Sequence, residues 1–157
     1  MHMRFIHPFL WVGVAAIGIG TAFRFFPPTQ IFQATHATRF ITVLASVYWL
    51  YFIVGALRVN KTALRGVRAV TKLLTRGPYG VVRHPMYSAH IALAWGLFLS
   101  YPSMRVFLSV LWLSVVLLAW IQLEERALMQ KFGDKYRRYR QQVPMLIPRF
   151  RKSAVRE

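Results

Sequence analysis

Long apolar runs alternate with short basic segments along the chain. Apolar residues fill positions 5–26 and 40–57 almost without interruption, and a third run covers positions 106–121. A shorter run, 91–99, gains comparable length if its helix extends over 85–101. A helix crosses the hydrocarbon core of a bilayer, roughly 30 Å thick, with about 20 mainly apolar residues. The pattern therefore predicts an all-α integral membrane protein with about four transmembrane helices.

The last two apolar segments are predicted to form a helical hairpin followed by an amphipathic helix. Residues 101–103, Tyr-Pro-Ser, are typical of a tight turn. Beyond the hairpin, apolar side chains recur every three or four positions over residues 123–132, which predicts an amphipathic helix on the cytoplasmic side. Gly133 is expected to interrupt this helix, and Tyr136 and Tyr139 then share one face of the helical turn that follows.

The composition favours a membrane over nucleic acid as the partner of this basic chain. Hydrophobic residues make up 56% of the 157 positions, and the formal net charge is +17. Nucleic-acid-binding modules are not this apolar, whereas a hydrophobic chain with concentrated basic charge is typical of a membrane protein that contacts anionic lipid. We therefore expect anionic membrane lipid and no nucleic acid as partners. The absence of cysteine excludes disulfides and thiolate metal sites.

The distribution of Lys and Arg predicts the orientation in the membrane. With four spans, the N-terminus, the loop over 58–83 and the tail from residue 126 lie on one side, which carries eighteen of these residues, and the other side carries three. Cytoplasmic segments hold the excess of positive charge in multi-pass proteins. We therefore expect a multi-pass protein with both termini in the cytoplasm.

An Arg-His-Pro triplet stands at the start of the fourth candidate helix. Pro85 suits the first helical turn, where its missing N–H is not needed. Arg83 and His84 then precede a helix N-terminus, which favours an anionic group, and a guanidinium can hold a carboxylate or phosphate with two parallel hydrogen bonds. Two interpretations remain open: a basic loop at the membrane surface with His84 among lipid headgroups, and a binding site for a charged cofactor.

Two adjacent acids end the last apolar segment. Glu124 and Glu125 are two of only four acidic residues in the chain. Neighbouring residues of a helix point about 100° apart, so one carboxylate can pair with arginines while the other faces a pocket. A structural salt bridge and a functional site at the membrane edge both remain possible. No metal-binding motif is present, and we expect no metal site.

Sequence motifs surround the predicted hairpin on both sides. "GPYGVVRHPMY" precedes it and "EERALMQKFGDKYRRYRQQVPMLIP" follows it. In this order over residues 77–148, they resemble the isoprenylcysteine carboxyl methyltransferase family and its phospholipid methyltransferase relatives. That resemblance implies a single membrane methyltransferase domain over 1–157, with N-terminal spans in 1–60 and the cofactor-binding and catalytic part in 61–157.

The resemblance also implies a chemistry and a set of site residues. S-adenosyl-L-methionine would be the methyl donor, leaving as S-adenosyl-L-homocysteine. The acceptor would be lipophilic: a prenylated thiol carboxylate, a phospholipid amine or another small apolar molecule. Catalytic roles are implied for Arg83 and Glu124. The implied cofactor-binding residues are Lys72, Leu73, Tyr79, Arg83, His84, Pro85, Met86, Tyr87, Glu124 and Glu125.

One position departs from the family pattern. Eukaryotic members carry an arginine about one helical turn before the glutamates, which resembles a clamp for a substrate carboxylate. Trp120 occupies that position here, within "LLAWIQLEE", so a prenyl-cysteine carboxylate is the less favoured acceptor. An indole face can attract a cationic amine, and we expect Trp120 to contact the substrate. A tryptophan that faces lipid is the alternative.

Two other functional classes fit parts of the sequence. A nicotinamide-dependent membrane double-bond reductase of the sterol reductase type carries a similar Arg-His motif, although this chain is short for such a bundle. A non-catalytic lipid-binding membrane protein would use the same apolar and basic segments without any cofactor. Both alternatives remain open beside the methyltransferase interpretation.

Overall fold

The computed structural model of the protein describes residues 10–59 and 71–149 and is built from helices. Their order is α1 Leu10–Phe25, α2 His36–Val59, α3 Pro78–Val81, α4 Pro85–Ser100, α5 Met104–Phe132 and α6 Asp134–Gln142. Within the described ranges, the extended backbone forms a single isolated bridge, between Gln30 and Ser103, and no strand. The predicted all-α class is confirmed for this part of the chain.

Helices α4 and α5 are joined by the short turn that the sequence predicts. α4 begins at Pro85 and ends at Ser100, one residue before the predicted end. α5 continues without a break beyond the apolar segment and carries the two glutamates. Gly133 ends α5 with a φ of 52°, in a region that residues with a side chain rarely adopt. The C-terminal amphipathic segment is therefore the end of α5 followed by the separate helix α6.

Two helices are long and apolar enough to cross a membrane, namely α2 and α5. α1 is a shorter apolar helix, and the 16 residues of α4 measure about 24 Å at 1.5 Å per residue. Four spans therefore remain a prediction. Positions 5–9 of the first predicted span, positions 60–70 of the basic loop and positions 150–157 of the tail lie outside the described residues.

The helices pack in two pairs, α2 along α4 and α1 along α5. Gly96 permits the close approach of α2 and α4, because a Cβ atom at this position would lie 2.8 Å from the Cβ of Ala45. Phe52, Val82 and Ala89 form a buried apolar cluster between α2 and the start of α4. This packing fixes the N-terminal end of α4, where the candidate site lies.

The outward faces of α1 and α2 are apolar and exposed. Ile17 is 72% exposed, Phe40 62% and Val47 61%. Monomeric soluble proteins rarely expose contiguous apolar patches of this kind, whereas lipid hydrocarbon covers them without cost. The structure therefore agrees with association of the protein with a membrane.

Candidate active site

The C-terminal segment holds the start of α4 through backbone hydrogen bonds. The N–H of Arg83 donates to the carbonyl oxygen of Pro144 at 2.8 Å, and the N–H of His84 donates to that of Met145 at 3.2 Å. Pro144 has no N–H of its own, but its carbonyl oxygen is free to accept. The Val-Pro element at the end of the sequence pattern therefore lies directly against the Arg-His-Pro triplet.

The guanidinium of Arg83 joins α5 to the C-terminal segment. Its Nε and Nη2 atoms lie 2.8 and 2.7 Å from Oε1 of Glu125. Its Nη1 atom donates to the carbonyl oxygens of Arg140, at 3.1 Å, and Val143, at 2.6 Å. The side chains of Arg83 and Glu125 are 8% and 5% exposed. A charge buried to this extent requires such partners, so this pair holds the two segments together.

Glu125 has two further cationic or polar neighbours. The Nε atom of Arg140 lies 3.4 Å from its Oε2 atom, and Nε2 of His84 lies 3.3 Å from its Oε1 atom. Both carboxylate oxygens are thus surrounded by donors of the chain itself. The salt-bridge interpretation describes Glu125.

Glu124 lies in a different environment, as the 100° turn between adjacent helix residues predicts. Its Oε1 atom accepts hydrogen bonds from the Tyr87 hydroxyl at 2.8 Å and from Nε1 of Trp120 at 3.1 Å. Its Oε2 atom lies 3.8 Å from Nδ1 of His84. The side chain is 20% exposed. Glu124 therefore presents a partly accessible carboxylate that is held in place by two aromatic donors.

Aromatic rings form the wall beside Glu124. The imidazole of His84 stacks on Tyr87 with ring centroids 5.9 Å apart, and Trp11 of α1 contacts the same tyrosine edge to face, also at 5.9 Å. Trp120 is only 8% exposed, which excludes the alternative that it faces lipid. Trp11 was not predicted, since an aromatic residue in the first apolar run gives no signal that separates it from its neighbours.

Two tyrosines of α6, Tyr136 and Tyr139, are buried near this region. The Tyr139 hydroxyl donates to the carbonyl oxygen of Tyr79 at 2.6 Å, and Tyr136 is 1% exposed. Burial raises the pKa of both the Tyr136 and the Tyr139 phenol. The Tyr139 hydroxyl therefore remains protonated at neutral pH and able to donate. The shared face predicted for these two tyrosines is confirmed.

The remaining predicted residues are placed around this core. Pro85 is buried as the first residue of α4, and Met86 is half-buried, with its carbonyl oxygen accepting a hydrogen bond from Nδ1 of His90 at 2.6 Å. Lys72 is exposed and Leu73 is half-buried in the non-helical segment before α3. Since the hydrogen bonds to Glu124 come from α4 and α5, the structure does not join Lys72 or Leu73 to this carboxylate.

The partners supplied by the C-terminal segment were missed from the sequence. Arg140 lies in a basic helix whose charges suggested contact with lipid, and nothing in its spacing distinguishes it from its neighbours. The carbonyl oxygens of Val143, Pro144 and Met145 carry no side-chain signal at all. Among the described residues, no group of three or more His, Cys, Asp or Glu side chains could hold a metal ion.

Residues 9–135 match the family model of the phospholipid methyltransferases. The match covers well over half of the chain. The chain belongs to the phospholipid methyltransferase family. This finding confirms the resemblance carried by the motifs on both sides of the hairpin. With the names of the relatives described next, it indicates a methyltransferase, the enzyme class that the motifs predicted.

Several curated relatives are named methanethiol S-methyltransferases. A methanethiol S-methyltransferase from Crocosphaera subtropica is 34% identical over 116 residues, covering 67% of this chain and 45% of the relative. One from Pseudomonas deceptionensis is 32% identical over 127 residues, with coverages of 71% and 47%. Methanethiol S-methyltransferase 1 from Bradyrhizobium diazoefficiens is 30% identical over 134 residues, with coverages of 77% and 46%. The chain thus spans about half the length of these relatives. No solved structure matches it.

Proposed function

We propose that the protein transfers a methyl group from S-adenosyl-L-methionine to a small lipophilic acceptor, with an apolar thiol as the first candidate. The family supports methyl transfer, and the relatives named for methanethiol support a thiol. The observation that carries the proposal is the Glu124 carboxylate. Tyr87 and Trp120 fix one of its oxygens at the end of an apolar hairpin, and the other oxygen is not engaged by either donor.

The residues around Glu124 fit this donor. A carboxylate suits the ammonium group and the ribose hydroxyls of the cofactor, and the rings of Tyr87 and Trp120 suit its adenine. When bound, the cofactor would supply an electrophilic methyl group on its sulfonium sulfur. A bond from this methyl group to the acceptor sulfur would form as its bond to the sulfonium breaks, S-adenosyl-L-homocysteine would leave, and the thiol proton would pass to solvent. The protein needs to hold both groups in line, and such positioning accounts for much of the rate of a transfer between two bound reactants.

Arg83 takes a positioning role in this proposal. Its guanidinium donates to Glu125 and to two carbonyl oxygens of the C-terminal segment, and these contacts support a role in the fold. By fixing the end of α5 against the start of α4, it places Glu124 opposite Tyr87. We propose this indirect role for Arg83 in place of the direct catalytic role that the family resemblance implies.

Trp120 links the donor and acceptor sides of the proposed site. Its single N–H is used by Glu124, so no indole donor remains to hold the carboxylate of a prenylated cysteine. The buried ring instead offers an apolar surface. This favours an uncharged small acceptor, and a phospholipid amine over its face is the second candidate.

The proposal includes insertion in the membrane with four spans and both termini in the cytoplasm. The apolar outer faces of α1 and α2 and the eighteen-to-three distribution of basic residues support it. A reporter fused to the C-terminus should be active only as a cytoplasmic protein. A reporter that is active on the opposite side would contradict this topology.

The two glutamates provide the test of the donor site. We expect Glu124→Gln to bind S-adenosyl-L-homocysteine at least about tenfold more weakly in titration calorimetry, because a hydrogen bond to a charged group contributes about 1.5 to 3 kcal/mol. Glu125→Gln is the matched control, and we expect it to lower the stability of the protein more than its affinity for S-adenosyl-L-homocysteine. Unchanged affinity in a folded Glu124→Gln protein would contradict the proposed site.

Ligand stabilisation distinguishes the competing classes. We expect S-adenosyl-L-homocysteine to raise the melting temperature of the purified protein in detergent. NADPH would raise it if the protein were a sterol-type reductase. Neither compound would raise it if the protein were a non-catalytic lipid-binding protein. Transfer of a labelled methyl group to a panel of apolar thiols, prenylated thiols and phospholipids then identifies the acceptor. Label in none of them would oppose the proposed activity.

A further inference from the structure

A cavity lies at the opposite end of the α4–α5 hairpin from Glu124. It has a volume of about 890 Å³ and is bounded by the α1–α2 connection, the α4–α5 turn and the start of α5. Backbone hydrogen bonds hold these walls together: the N–H of Ile31 donates to the carbonyl oxygen of Pro102 at 2.7 Å, and the N–H of Met104 donates to that of Thr29 at 2.9 Å. The cavity is therefore part of the folded structure and not a gap beside a loose loop.

Two arginines line this cavity, Arg39 and Arg105. The guanidinium of Arg105 lies over the ring of Phe23, 5.0 Å from its centroid. Its Nε atom is buried and has no hydrogen-bond partner within the part of the chain that the structure describes. A buried donor of a charged group that lacks an acceptor is unfavourable. The sequence before Glu124, which includes every residue that lines this cavity, contains no Asp or Glu.

We propose that this cavity binds the phosphate of an acidic phospholipid headgroup. A guanidinium matches the geometry of a phosphate and is always charged, and two of them favour an anionic lipid over a zwitterionic one. The N-terminal end of α5 adds its positive dipole on the same side. Phe23 and Leu97, at the margin of the cavity, are 48% and 42% exposed, which suits contact with acyl chains.

The distance between the two polar sites agrees with a lipid ligand. Along α5, Arg105 and Glu124 are separated by about 28 Å at 1.5 Å per residue. This is close to the roughly 30 Å thickness of the hydrocarbon core. Given the proposed insertion in the membrane, with Glu124 at one surface, Arg105 lies at the level of the headgroups at the other.

The test compares two arginines at the same end of the molecule. The full chain is purified in neutral detergent, and binding of phosphatidylglycerol, phosphatidylcholine and inorganic phosphate is measured by native mass spectrometry and thermal shift. We expect phosphatidylglycerol to bind best of the three. Arg105→Gln should weaken the binding of phosphatidylglycerol about tenfold or more, as the loss of a charge-assisted hydrogen bond predicts. Arg24→Gln is the control, because Arg24 is exposed and does not line the cavity. Arg24→Gln should change the affinity for phosphatidylglycerol by less than about twofold.

Three results would overturn the assignment: equal losses in Arg105→Gln and Arg24→Gln, equal binding of phosphatidylglycerol and phosphatidylcholine, or binding of inorganic phosphate as tight as that of the lipid. The side chain of Arg39 is exposed. Arg39→Gln therefore serves as the second variant if Arg105→Gln does not fold. The affinity for S-adenosyl-L-homocysteine is measured in parallel. Loss of lipid binding with unchanged affinity for this nucleoside separates the cavity from the donor site.

Discussion

The two ends of the α4–α5 hairpin treat their arginines in opposite ways. At one end, Arg83 is buried and satisfied by Glu125 and by two backbone carbonyl oxygens. At the other end, Arg105 contacts a ring and leaves its Nε atom without a partner in the described part of the chain. A charge that the chain compensates serves the fold, whereas one that it does not compensate points to a ligand.

The same distinction separates the two adjacent glutamates. Glu125 is 4% exposed and surrounded by cations of the protein. Glu124 is more exposed and is oriented by uncharged donors, the hydroxyl of Tyr87 and the indole N–H of Trp120. Its negative charge is consequently not neutralised by a direct guanidinium contact in the described structure. On the same reasoning, we propose a structural role for Glu125 and a role in the donor site for Glu124.

The largest effect on the free energy of unfolding is expected at the end of the hairpin where the chain compensates the charge of Arg83. Arg83→Met should lower the free energy of unfolding by about 3 to 5 kcal/mol, because removal of one partner leaves the other charge buried without it. The change also removes the donor to the carbonyl oxygens of Arg140 and Val143. Denaturant unfolding of the full chain in mixed micelles measures the loss.

An exposed arginine near the same end is the control for this variant. Arg137 pairs with Asp134 at 3.4 Å, but the two side chains are 67% and 79% exposed. Exposed pairs contribute less than about 1 kcal/mol, so Arg137→Met should have little effect. Similar losses in the two variants would show that burial of the Arg83–Glu125 pair does not decide its contribution.

A smaller effect is expected from a single hydroxyl at each end. Tyr139→Phe removes the hydrogen bond to the carbonyl oxygen of Tyr79 and should destabilise the fold by about 1 kcal/mol. Tyr101→Phe makes the same chemical change in the α4–α5 turn, where the side chain is 68% exposed, and should stay within about 0.5 kcal/mol of the unchanged protein. Unfolding midpoints of both variants, measured side by side, test the contrast. A larger loss of stability for Tyr101→Phe than for Tyr139→Phe would contradict the view that the chain compensates its polar groups at the Arg83 end of the hairpin.

Features set by local patterns could be predicted from the sequence. Pro85 marks the start of α4 because its ring suits a first turn, and Gly133 marks the end of α5 because its positive φ suits glycine. The divergence of Glu124 and Glu125 follows from helix geometry alone. Each of these depends on a residue and its close neighbours in the chain.

Features that depend on long-range pairing could not be predicted in this way. The residues next to Arg83 suggest an anion site and give no sign of the acceptors that Arg83 has within the chain. In the structure, residues more than forty positions away, Glu125 and Val143, supply its acceptors. The cavity at Arg39 and Arg105 was missed for the same reason, since those two residues come together only when α1, α2 and α5 are assembled.

Only a small effect on the free energy of unfolding is expected for Arg105→Met, the same substitution at the other end of the hairpin. Arg105→Met loses a contact with the Phe23 ring that contributes about 0.5 to 1 kcal/mol, but it also removes a buried donor that has no acceptor in the described structure. The two effects oppose each other, so the free energy of unfolding in lipid-free detergent should change by less than about 1 kcal/mol. Adding phosphatidylglycerol should then stabilise the unchanged protein more than the variant, because a ligand stabilises only the state that binds it. If Arg105→Met were as destabilising as Arg83→Met before any lipid is added, the chain itself would already compensate Arg105, and the contrast between the two ends would not hold.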